Sequence, residues 1–187
     1  MEKTDKIVNI YETACKHFFG FLYPTLGAIT NPFGTYGIDA KVYQGGKLFS
    51  VEEWKLNSHS HHRLEDMGKG ILIEHKKFIE LHKKSQSLNN NRKTPVLGVY
   101  RRFFNDAEVI FPATLYGTNE LKQYYTEEWC EPNQWSNTRY LQKGYYIPLY
   151  AKDNNGENYW TIKPYNTFTK RVHAMILEER DNALNQI

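Results

Sequence analysis

Tyr36-Gly37-Ile38-Asp39-Ala40-Lys41-Val42-Tyr43-Gln44-Gly45-Gly46-Lys47-Leu48-Phe49-Ser50-Val51-Glu52-Glu53-Trp54-Lys55 is the run on which the reading of this chain turns. Ile38 and Val42 on one side of Gly45-Gly46, and Phe49 and Val51 on the other, are the pattern of two short strands around a glycine turn. Strands with such side chains belong to a core, so charges at Asp39, Glu53 and Lys55 among them need a reason.

Two carboxylates can hold a hard divalent cation. An ammonium on the same strand face can orient an attacking water or offset developing charge, as a metal-dependent phosphodiesterase requires. Register decides whether the three groups meet. Residues two apart share a face, so Asp39, Lys41 and Tyr43 lie together, as do Phe49, Val51, Glu53 and Lys55. A two-residue Gly45-Gly46 turn pairs Gln44 with Lys47 and sets Asp39 opposite Glu52, on the wrong face. A three-residue loop, Gln44-Gly45-Gly46 with a glycine bulge, pairs Tyr43 with Lys47 and brings Asp39 onto the face of Glu53 and Lys55. The site therefore requires an odd-length loop or a bulge.

The chain has 187 residues, 40% hydrophobic and 24% charged, which suits one domain with its own core and excludes a disordered polymer. No apolar run approaches the length of a bilayer span, and the first residues lack the apolar core of a signal peptide. Cys15 and Cys130 have no metal-site spacing and cannot form a disulfide framework, so a reducing, cytoplasmic location is expected, with no membrane partner. A net charge of +3 means that any nucleic-acid surface must come from local clustering. The 14 tyrosines are read mainly as borders of the core.

Around the hairpin, helical spacing of Ile7, Ile10, Tyr11, Ala14, Phe18 and Leu22 predicts a helix over residues 5–22. Residues 27–34 read as a loop and 57–70 as a polar, histidine-rich connector. A second helix is expected over 71–84, followed by a loop over 85–94. Strands are expected over 95–104 and 108–114, a short helix over 119–125, and no regular period over 126–140. Two more strands, 144–151 and 158–163, flank the turn Asp153-Asn154-Asn155-Gly156, and a last helix covers 167–182. That order predicts an α/β fold, a mixed central sheet flanked by helices, within a single domain spanning residues 1–187.

With these residues in place, the chain resembles the PD-(D/E)XK, or restriction-endonuclease-like, nuclease superfamily. The match consists of Ile38-Asp39 and Glu53-Trp54-Lys55 with 13 residues between the two acids. The helix around Gly70–Phe78 and the strand Pro95–Tyr100 follow in the family's order. The resemblance covers about residues 5–114, leaving 115–187 as a C-terminal strand and helix extension. It departs from the family in lacking the leading proline and in carrying Glu52 where an apolar residue is usual, so Glu52 and Glu53 both stand as candidate ligands.

The resemblance implies a Mg²⁺-dependent nuclease, with Mn²⁺ as a substitute, acting on DNA in a phage, mobile-element, repair or recombination setting. Asp39 and Glu53 would bind the metal, with the Trp54 carbonyl as a further ligand, and Lys55 would position water or help deprotonate it. Glu12, on a helical stripe with Val8, Cys15 and Phe19, is another candidate, since branches of the superfamily carry a helix-one glutamate that reaches the metal. Its alternatives are an exposed stripe edge or a pair with Lys16. Candidate phosphate contacts are Lys69, Lys76, Lys77, Arg101 and Arg102, with Arg92 and Lys93 beside them. Because Arg101 and Arg102 point to opposite faces, one should reach the working side of the sheet. His59, His61 and His62 lack zinc-site spacing and read as loop residues. An RNA endonuclease, or a binding or inhibitor protein on the same fold, are the alternatives, and a homodimer is compatible with either.

Overall fold

A computed structural model describes residues 3–30, 38–63, 68, 70–89, 92–132 and 138–187. Helix α1 (Lys3–Leu22) leads into β1 (Leu26–Thr30), β2 (Ala40–Gln44) and β3 (Lys47–Leu56). β4 (Ile71–Glu74) runs directly into α2 (His75–Asn89), followed by β5 (Leu97–Phe103) and β6 (Ala107–Phe111). Two short 3₁₀ turns, Ala113–Leu115 and Glu120–Tyr124, precede β7 (Tyr125–Cys130) and β8 (Tyr140–Ile147). β9 (Thr161–Pro164) and α3 (Thr167–Leu184) complete the chain. None of the described helices is long and apolar enough to cross a membrane.

The fold is α/β, with a mixed sheet flanked by three helices. Six strands take the order β1-β2-β3-β5-β6-β9, and only β3 and β5 are parallel. A parallel neighbour needs a crossover, supplied here by β4 and α2. α1 and α3 cover one face, where Phe18, Phe19, Val172 and Ile176 meet Ala40, Val42, Trp54 and Phe103. α2 and a second sheet, β4-β8-β7, cover the other, where Phe78, Leu81, Ile71, Ile73 and Tyr145 pack on Val51, Tyr100 and Val109. With both faces covered, β3 is buried without a break from Ser50 to Trp54.

Several local expectations are corrected. Leu26–Thr30 is a strand paired to β2, not the start of a loop. Ile71–Glu74, expected as helix, is β4, because Ile71 and Ile73 alternate into the core opposite β8. The helix then runs on through residues expected as loop to Asn89. The polar 126–130 segment is an edge strand on β8. The Asp153–Gly156 turn forms, with Gly156 at φ +81°, yet its flanking strands part. β8 joins β4 and β7, whereas β9 joins β6. The Asn31-Pro32 loop, Trp135 and Lys69 lie outside the described residues.

Candidate active site

The hairpin resolves its register by a bulge. Gly45 and Gly46, at φ +55° and +76°, form the two-residue turn, and Gln44 pairs with Lys47 and Tyr43 with Leu48. The ladder then slips by one residue, so that Val42 pairs with Ser50, Lys41 with Val51 and Ala40 with Glu52. Phe49 is the extra residue. The three-residue loop is thus replaced by a tight turn with the bulge three residues later. Continued one step, the shifted register sets Asp39 opposite Glu53. The Asp39 N–H donates to the Glu52 carbonyl at 3.0 Å, and the Trp54 N–H donates to Asp39 Oδ2 at 2.8 Å.

Glu53, 1% exposed, is the centre of the resulting group. Lys77 Nζ, from the first turn of α2, stands 3.0 Å from its Oε2, and Lys55 Nζ 3.4 Å from its Oε1. Lys55 also reaches Glu74 at 3.9 Å, and its side chain keeps 39% of its exposure. Burial, and next the Asp39 charge, push the Glu53 carboxyl up to about 7, with Lys55 and Lys77 opposing. Burial pushes Glu12 up to about 7 as well, with the Glu53 charge the next cause. Asp39 is also raised by burial, against the pull of Lys77, the Trp54 N–H and Lys55. For Lys55, burial works against the charged form, but Glu53, Tyr100, Glu74 and Asp39 outweigh it and hold the ammonium above its ordinary value. The charge on Glu12, from α1, is thus coupled to those of Glu53, Lys77 and Asp39.

Glu12 Oε2 is buried without a hydrogen-bond partner, whereas Glu53 Oε2 is taken up by Lys77 Nζ at 3.0 Å. A buried, unpartnered carboxylate oxygen such as that of Glu12 is an acceptor of the kind that a hard cation takes up. Among the described residues, no group of three or more His, Cys, Asp or Glu side chains is placed to hold a metal ion.

Glu52 lies on the other side of the sheet from Asp39 and Glu53. Fully buried on the opposite face, it accepts from Ser50 Oγ (2.7 Å), Trp54 Nε1 (2.7 Å), and Arg101 Nε (2.7 Å) and Nη2 (2.9 Å). Arg101 also pairs with Glu108, which accepts from the Tyr23 hydroxyl. Arg101 is accordingly corrected from a phosphate contact to the cation of a buried Glu52–Arg101–Glu108 network. Arg102 sits beside Lys55 across the β3–β5 ladder, on the face of the acidic centre, where Nη2 donates to the Leu72 carbonyl (3.0 Å) and Tyr100 Oη (3.2 Å). Lys76 is exposed on α2 near Glu80, while Lys77, expected among phosphate contacts, belongs to the acidic centre itself. The signal for Lys77 is the helix start at His75, which turns Lys77 and Phe78 inward. Trp54 stacks on Phe19 at 4.7 Å and braces β3 from the far side. His61 lies 2.9 Å from Asp106, and Ser60 donates to the same carboxylate, a loop anchor away from the acidic centre.

Comparison with protein-family models, curated proteins and solved structures finds no match to this chain.

Proposed function

We propose that the chain is a divalent-cation-dependent nuclease with a restriction-endonuclease-like core, hydrolysing phosphodiester bonds in DNA. The observation that carries this reading is the bulge at Phe49, which sets Asp39 on the face of Glu53 and Lys55 beside Glu12. A strand hairpin that spends an extra residue to align two buried acids costs ladder hydrogen bonds, and alignment for function accounts for that cost. The order β1-β2-β3-β5, with β3 and β5 parallel across a helix, also supports the resemblance seen in the sequence.

Asp39 and Glu53, with Glu12 as third carboxylate, would hold Mg²⁺ or Mn²⁺, which when bound supplies Lewis-acid stabilisation of the phosphoryl charge. Lys55, held as an ammonium by its acidic neighbours, would position water and offset developing negative charge. Attack by water forms one P–O bond as the bond to the leaving oxygen breaks; the water gives up one proton to solvent and the leaving oxygen takes one up from solvent, so that protons balance. The Trp54 N–H fixes the Asp39 carboxylate, so its second oxygen remains for the ligand.

One observation favours a second reading. Glu53 is flanked by two lysines, a self-neutralised group that a non-catalytic binding protein on this fold would also keep. Cleavage of plasmid, linear and branched DNA, and of RNA, with Mg²⁺ or Mn²⁺ decides between them, comparing wild type with Lys55→Ala and Glu53→Gln. Cation-dependent cutting of DNA lost in both variants is the expected result. Wild-type signal no greater than that of the variants on every substrate would leave the binding protein standing. Preference for RNA would move the substrate class.

A further inference from the structure

At the hairpin end of the sheet, a cleft of about 750 Å³ lies between β2, the turn before β3, and the segment following α2. Lys41, Lys47, Arg92 and Lys93 line it, and no acidic side chain does. Among the described residues none of these four cations is ion-paired. The Arg92 guanidinium donates to the Leu48 carbonyl, at 3.4 Å. The concentration matters because the whole chain carries a net charge of only +3. Two aromatic rings join the cations: Tyr43, half-buried, and Phe49, the bulge residue, 44% exposed. An exposed phenylalanine at a bulge gains nothing from the core. In a basic cleft it offers a flat face to a nucleobase.

Lys41 and Tyr43 share the strand face of Asp39. Tyr43 is four residues from Asp39, about 13 Å along an extended strand, a span of a few nucleotides. A duplex shows its phosphates but keeps its base faces stacked, so it could use the cations and not the rings. An unpaired strand uses both. We propose that this cleft is the binding track for a single-stranded stretch of DNA, its phosphates on Lys41, Lys47, Arg92 and Lys93 and its bases on Phe49 and Tyr43. Resting on the nuclease reading, this makes the preferred substrate one with an unpaired segment within a few nucleotides of the cleaved bond.

The test is fluorescence anisotropy of a labelled oligothymidylate, with a duplex and an oligouridylate as comparison probes, in metal-free buffer so that binding is read without cleavage. Replacing all four cations by Gln should flatten the dependence of log affinity on log salt by about 2.8, at ~0.7 for each phosphate neutralised on a single strand. Phe49→Ala should weaken the single strand by about 5- to 100-fold, and the duplex by much less. Gln at Lys170 and Arg171, exposed on α3, serves as the charge control and should leave the single-strand salt slope near the wild-type value. Thermal midpoints of every variant separate lost binding from lost fold.

A salt slope unchanged by the four substitutions, or changed no more per charge than by the control pair, overturns the proposal. So does a duplex bound as tightly as the single strand and as sensitive to Phe49→Ala. Tighter binding of oligouridylate than of oligothymidylate would reassign the track to RNA and overturn it as stated. Intact single-strand binding without any cleavage would sink the nuclease reading alone. Intact cleavage with binding indifferent to the four substitutions would sink the cleft alone.

Discussion

Titrating Mn²⁺ into the protein at several pH values tests the acidic centre where its energetics are most exposed. Glu12 and Glu53 each titrate at about 7, raised chiefly by burial. A carboxylate binds a cation only after losing its proton, so below neutrality Mn²⁺ must displace protons, and affinity should rise with pH. If both groups must be ionised, each is about one-eleventh charged at pH 6 and about ten-elevenths at pH 8. The doubly ionised fraction then changes about 100-fold, or ~2.7 kcal/mol at ~1.36 kcal/mol per tenfold. Because the two sites interact, the steps belong to the pair, but the total proton count does not depend on how they are shared. Calorimetry in buffers of differing ionisation heat should therefore count between one and two protons released near pH 6 and almost none near pH 8. Glu12→Gln should shrink the span to about 10-fold, and Glu53→Gln should abolish binding. Equal Mn²⁺ affinity at both pH values, with no buffer dependence of the heat, would refute the assignment of these two carboxylates to one cation site.

Three further outcomes follow from the same coordinates. A carboxyl raised in the folded state stabilises the fold while protonated and loses that contribution as pH rises through about 7, so charged Glu12 costs stability above neutrality. Discounted for its partial exposure, that cost is about 1 kcal/mol. In EDTA, Glu12→Gln should raise the thermal midpoint by about 2–4 °C near pH 8 and by almost nothing near pH 4.5. A rise of equal size at both pH values would remove the pKa argument. Arg101→Met should cost about 3–5 kcal/mol in urea unfolding, because it strands Glu52 and Glu108 as buried charges. A loss under about 1 kcal/mol would show that water already reaches the network. Gly144→Ala should cost at least about 1–3 kcal/mol, since its Cβ would stand 2.4 Å from Leu72 Cδ1 and 2.7 Å from the Ile73 carbonyl. An unchanged urea midpoint would mean that β4 and β8 separate more easily than their pairing implies.

Features legible in the residues were those whose cause is local. The period of α1, the turn residues Gly45-Gly46 and the alternation around them act within a few residues of themselves, and they placed the hairpin and the first helix. Strand parity went further, since it stated the condition for the site, an odd loop or a bulge, though not which. Ile71–Glu74 shows where local pattern fails. Four residues carry too few repeats to separate a period of two from one of 3.6, and pairing with Gly144–Ile147, some seventy residues away, made them a strand. That choice moved the start of α2 to His75, and Lys77 in its first turn stands beside Glu53.

By itself, then, the order of amino acids determined the α/β class, the chemistry on offer at Asp39, Glu53, Lys55 and Glu12, and the rule that their faces must agree. Tertiary structure alone decided that Phe49 is the surplus residue, that Glu52 and Arg101 neutralise each other behind the sheet, and that Lys77 and Arg102 face the acids. The physical reason is range. Turns and periods arise from steric and hydrogen-bonding preferences of neighbours along the chain. Which of two adjacent glutamates meets Arg101 behind the sheet, and which meets Lys55 and Lys77 in front of it, depends on charges carried by strands and helices that reach it only after folding.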